Sequence, residues 1–182
     1  MYISRKLKQA NIVEYLLYMW QVEDLLRANG LDIDKVSASV VDKYQLDEAQ
    51  HAEMVEWYDN LIAMMRLEQV EKQGHLQINK NVIIDLTDLH LQLMRCPKYP
   101  YYQAAYYKAL PFIVEYRTKS AASANLSELE NCFEALYGIW MLKLQHREIS
   151  SDTAKAMESI VLFMGLLSDY YFQDKKGELK LD

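Results

Sequence analysis

Apolar residues recur at spacings of three and four along this chain almost without interruption, the repeat of a helix that buries one face. Only five glycines and three prolines punctuate 182 residues. The pattern therefore predicts an all-α protein, a single-domain bundle of about seven helices spanning residues 1–173, with 174–182 as a polar, frayed C-terminal tail.

Capping residues set the expected boundaries. Helix one is predicted from Ser4, as N-cap, to Gly30, and is apolar almost all round: Val13, Leu16, Leu17 and Trp20 form one stripe, Tyr15, Tyr18, Val22 and Leu25 another. Glu14, Gln21 and Asp24 share the narrow polar strip that is left, which makes this helix central. Asp32 or Asp34 caps a short second helix. Helix three runs from about Leu46 to Gln73, where Gly74 stops it, and between Asp47 and Glu71 carries seven carboxylates (Asp47, Glu48, Glu53, Glu56, Asp59, Glu68, Glu71) against Arg66. Asn79 or Asn81 caps helix four.

Cys96-Pro97-Lys98-Tyr99-Pro100 interrupts the repeat, because each proline disfavours helix in the residue before it. Helix five follows to about Lys119, with a kink or break expected at Pro111, which offers no N–H to the Tyr107 carbonyl. The small, polar run Ser120–Asn125 is softer punctuation. Ser127-Glu128-Leu129-Glu130 is a capping box that opens helix six, and Ser150 or Ser151 caps helix seven. Helices one, four, six and seven are expected to supply most of the core.

Composition narrows the function. Half the residues are hydrophobic and a quarter charged, the balance of a soluble globular protein. The net charge of −6 opposes a generic nucleic-acid or anionic-membrane binder. The longest apolar run, Ile160 to Leu167, falls far short of the roughly 20 residues of a membrane span. MYISRKLKQ enters a helical pattern without a signal-peptide core, and Cys96 and Cys132 are unpaired in sequence. Both features predict a cytoplasmic protein with reduced thiols. Fourteen tyrosines suit the boundary of a core or an interface between subunits.

Candidate chemistry is sparse. Glu48-Ala49-Gln50-His51 is a Glu-x-x-His that sets a carboxylate and an imidazole on one helical face, yet a di-iron bundle needs that fragment twice. A metal-binding or enzymatic bundle centred on Glu48 and His51 is therefore an alternative reading, against a surface pair near a helix start. His90, among Ile83, Leu86, Leu89, Leu93 and Met94, reads as a hydrogen-bonded core residue. His75 and His146 read as solvated residues at helix ends. No cofactor is expected, and no catalytic constellation is legible.

The strongest binding candidate is the basic, tyrosine-rich segment 95–119. Its contact residues are taken as Arg95, Lys98, Tyr99, Tyr102, Tyr106 and Lys108. Cations interleaved with aromatics can also hold single-stranded nucleic acid, a further alternative that the overall charge opposes. Packing against protein is the better reading: a two-fold homodimer with Tyr99–Tyr116 at its interface, or an unknown protein partner.

In order along the chain, NIVEYLLYMWQVEDLL (Asn11–Leu26), GHLQINKN (Gly74–Asn81), YYKALPFIVEY (Tyr106–Tyr116), CFEALYGIWM (Cys132–Met141) and EISSDTAKAM (Glu148–Met157) resemble a bacterial family described as domain of unknown function 4924. The resemblance covers nearly the whole chain. It implies a single cytoplasmic domain and brings no activity, cofactor or catalytic residue. The expected function is accordingly a non-enzymatic interaction or assembly protein.

Overall fold

The computed structural model describes residues 1–119 and 126–181, so the expected punctuation at Ser120–Asn125 lies outside the described residues. The protein is all-α. Eight α-helices are present among the described residues: α1 (Tyr2–Ala10), α2 (Ile12–Ala28), α3 (Ile33–Ser39), α4 (Glu48–Leu67), α5 (Gln77–Arg95), α6 (Pro100–Lys119), α7 (Glu128–Leu144) and α8 (Ser151–Lys175), with one 3₁₀ turn at Val41–Lys43.

The extra helix arises because the predicted helix one is two. The Asn11 side chain accepts from the Val13 and Glu14 N–H groups, each at 3.1 Å, and so caps a new helix in mid-pattern. Ser168 of α8 completes this cap: its hydroxyl accepts from the Ile12 N–H at 3.2 Å and donates to Asn11 at 3.1 Å. Ser4 is not an N-cap. It lies buried in α1 and donates to the Met1 carbonyl at 2.7 Å.

By its contacts the chain forms two compact units, 1–10 with 18–81 and 11–17 with 82–182. In the first, α3 is capped by Asp32, and α4 by a capping box between Asp47 and Gln50. Helix α4 stops at Leu67, six residues before the predicted Gln73, because Gln69 takes the left-handed conformation that a glycine would favour (φ 57). Val70 N–H then bonds the Met65 carbonyl at 2.9 Å and Gln69 N–H the Arg66 carbonyl at 3.1 Å. The same closure recurs at Gly30 after α2.

The start of α5 departs from prediction as well. Neither Asn79 nor Asn81 caps it; both lie inside the helix. The first free N–H groups are taken by distant carboxylates, Leu76 N–H by Glu23 at 3.0 Å and Gln77 N–H by Glu68 at 2.6 Å. Glu23 lies 53 residues before Leu76, and Glu68 nine residues before Gln77 across the end of α4, so capping patterns within one turn could not show them.

In the second unit α6 packs on α8, and both pack on α7. Helices α6 and α8 run antiparallel: Tyr102 near the start of α6 meets Tyr170 near the end of α8, and Phe112 further along meets the α8 residues Lys155 and Glu158. Helix α6 belongs to the core, contrary to its expected secondary place, through Tyr102, Ala105, Tyr106, Ala109 and Ile113. It begins at Pro100, whose missing N–H costs nothing in a first turn, and continues unbroken through Pro111. The expected break does not occur. Ser127 and Glu130 form the predicted capping box of α7, and Ser150 caps α8. The C-terminal residues are tied back: the Tyr99 hydroxyl donates to the Lys180 carbonyl at 3.0 Å and accepts its N–H at 3.1 Å.

Candidate interaction surface

Helix α6 has two aromatic faces, and its sequence places them a few residues apart. Tyr102 and Tyr106, four apart, point inward, while Tyr101 and Tyr107 point out. On the inner side Tyr102, Tyr106 and His90 surround Phe163, with ring centroids 5.5, 5.5 and 5.6 Å from it. The polar tips of these rings are satisfied internally. The Tyr102 hydroxyl lies 2.7 Å from His90 Nδ1, and the Tyr106 hydroxyl donates to Glu128 Oε2 at 2.6 Å. Burial pushes both phenols well above the usual tyrosine range, and the hydrogen bond to Glu128 raises Tyr106 further. Burial also holds His90 below its ordinary value, partly opposed by the Glu128 charge. The Cys132 thiol, fully buried beside this group, is pushed up by burial and then by Glu128, the opposite of what a thiolate nucleophile needs.

Two of the six expected contact residues are therefore not on the surface. Tyr102 is 0% and Tyr106 9% exposed, because a four-residue spacing in step with Ala105, Ala109 and Ile113 directs them to the core. Arg95, Lys98 and Lys108 are exposed, and Tyr99 is half-buried against Tyr170 while its hydroxyl holds Lys180. The outward face of α6 carries Tyr101, Ala104, Tyr107, Lys108, Pro111 and Val114. Beside it on α8 stand Lys155, Glu158 and Leu162, all exposed. Two clefts of about 560 and 390 Å³ run between these helices and share Phe112, the first holding Lys108, Lys155 and Glu158, the second Glu115, Lys119 and Asp152.

The metal-like pair behaves differently from its alignment in sequence. Glu48 is exposed at the first residue of α4, and His51 Nε2 turns to Asp42 Oδ1, 2.8 Å away. Among the described residues no group of three or more His, Cys, Asp or Glu side chains comes close enough to hold a metal ion. No helix among them is long and apolar enough to cross a membrane.

Sequence reasoning missed one polar centre, in the first unit. Glu23 is only 1% exposed, and its carboxylate accepts from Leu76 N–H (3.0 Å) and Asn79 Nδ2 (2.7 Å), with His75 Nδ1 at 2.6 Å. The His75 ring stacks on Trp20 at 3.9 Å with an interplanar angle of 10°, so it is not the solvated helix-end residue its position predicts. The available signal was Glu23 itself, a carboxylate between Val22 and Leu25 that falls outside the polar strip of α2. With its three partners fixed, this centre joins α2 to the start of α5 and acts as a structural clasp.

No curated protein and no solved structure matches the chain. A family model does match, over residues 1–178, nearly the whole length and including every block that carried the resemblance. The chain belongs to the family described as Domain of unknown function (DUF4924).

Proposed function

We propose that this chain is a non-enzymatic cytoplasmic interaction protein that works as a two-fold homodimer, joined through the outer face of α6 and the adjoining part of α8. The observation that carries the reading is the apolar character of that face: Tyr101 and Tyr107 are 65% and 61% exposed, Val114 is open on the same helix, and Leu162 of α8 lines the adjoining cleft with Pro111 and Phe112. Exposed aromatic and aliphatic side chains of this size on one helix face mark a surface that is covered in use. Its charges support a second copy as the cover. A two-fold interface must complement itself, and the clefts carry three cations, Lys108, Lys119 and Lys155, against three carboxylates, Glu115, Asp152 and Glu158. Lys119 and Glu115 pair with each other within α6, and a partner turned through the two-fold axis can set Lys108 and Lys155 against Asp152 and Glu158.

Light scattering at micromolar concentration tests this. The expected mass is twice the 21.4 kDa of one chain, falling to one chain in Tyr107→Glu/Leu162→Glu with helical content unchanged. A wild-type monomer, or a dimer that survives the double substitution, would overturn the reading.

A further inference from the structure

The groove between α3 and α4 in the first unit, about 510 Å³, is not used by the proposed dimer contact. Its floor is apolar, formed by Ile33 of α3 with Ala52 and Val55 of α4, and its rims are acidic, with Asp34 on α3 facing Glu56 and Asp59 on α4. All three carboxylates are exposed, and no hydrogen bond or ion pair to their side chains is present among the described residues. The imidazole at the edge, His51, is already held by Asp42 at 2.8 Å and does not neutralise them. We infer that this groove receives a basic, amphipathic α-helix of a protein partner.

The arrangement favours that occupant over the others. A metal ion would need the carboxylates to converge, and they do not form a group able to hold one. Phosphate, nucleic acid or an anionic lipid surface would be repelled by an all-acidic rim. A simple polycation would leave Ile33, Ala52 and Val55 uncovered. A helix with an apolar stripe flanked by Lys or Arg answers both features: the stripe covers the floor while cations on either side reach Asp34 on one rim and Glu56 and Asp59 on the other. The lengths agree as well. Ala52 to Asp59 spans two turns of α4, about 10 Å at 1.5 Å per residue, so two turns of a partner helix fill the groove.

The test uses the full chain and a fluorescein-labelled synthetic helix of about 14 residues whose leucine stripe is flanked by lysines, read by anisotropy. Two comparison peptides replace the lysines by glutamate or the leucines by serine. The lysine–leucine helix is expected to bind roughly tenfold or more tightly than either, with affinity falling as salt rises from about 0.05 to 0.2 M. Glu56→Lys/Asp59→Lys and, separately, Val55→Ser should each weaken it several-fold, while Glu178→Lys, remote in sequence and outside the groove, leaves it unchanged. Circular dichroism is expected to show the helical content of all these variants unchanged. Equal binding of the three peptides, or an affinity indifferent to the groove substitutions, would overturn the inference. So would loss of the dimer in Glu56→Lys/Asp59→Lys, which would assign the groove to a second copy.

Discussion

Removing the Glu23 carboxylate tests the clasp that joins α2 to the start of α5. In Glu23→Ala the Leu76 N–H and Asn79 Nδ2 lose their acceptor, and His75 Nδ1 loses its partner, at sites where water does not readily enter. Each buried donor left unmade costs about 1–3 kcal/mol, and the charge of Glu23 places its bonds toward the upper part of that range. Relief from holding a desolvated carboxylate offsets part of the loss. The expected net destabilisation is about 3–5 kcal/mol. Glu23→Gln keeps an oxygen for Leu76 and Asn79 but places an amide where the carboxylate faced His75, so it should cost less, about 1–3 kcal/mol. Urea titration followed by circular dichroism gives both values, and Trp20, stacked on His75, supplies a local fluorescence signal. A loss below about 1 kcal/mol in Glu23→Ala, or no difference between Ala and Gln, would show that the three short contacts do not act together.

Two other predictions concern a helix end and a buried histidine. Gln69→Gly should raise stability by roughly 0.5–1 kcal/mol, since Gln69 holds φ 57 at the end of α4 and only glycine does so without side-chain strain; a lower urea midpoint would refute that account of the stop. His90 is held by burial below its ordinary 6.5, so in the acid range the unfolded chain binds the extra proton first. Its contribution is complete above about pH 6.5 and is lost as the pH falls below that value toward the depressed folded pKa. Urea midpoints measured across this window should drop with acid, and His90→Gln should flatten the drop; an unchanged slope would assign the acid sensitivity elsewhere.

The sequence by itself determined the elements whose signals lie within one or two helical turns. Helical periodicity specified the all-α class. The Ser127 box and the left-handed stop at Gly30 were legible, and the caps of α3 and α8 were narrowed to Asp32 or Asp34 and to Ser150 or Ser151, because each is a side chain or backbone conformation acting on its immediate neighbours. The burial of α2 was legible too, since a helix apolar on most sides has to be enclosed: Leu16 and Trp20 are buried. The collinear blocks carried the family. What tertiary structure alone decided lies where the competing partner is distant. Asn11 ends one helix and begins another with help from Ser168, and Glu23 caps α5 across more than fifty residues. Gln69 adopts a glycine's conformation while the close of α4 packs Met65 and Val70 into the core.

The candidate surface divides along the same line. Composition located a basic, tyrosine-rich stretch but did not sort its tyrosines by face; the four-residue step of Tyr102 and Tyr106 with Ala105, Ala109 and Ile113 was the legible signal that these two belong to one buried stripe. Packing against Phe163, with His90 and Glu128 placed to satisfy two hydroxyls, selected Tyr102 and Tyr106 for the core and left Tyr101 and Tyr107 to solvent. Periodicity places residues on faces; only the polar partners supplied by other helices determine which face can be buried without leaving a hydroxyl unsatisfied.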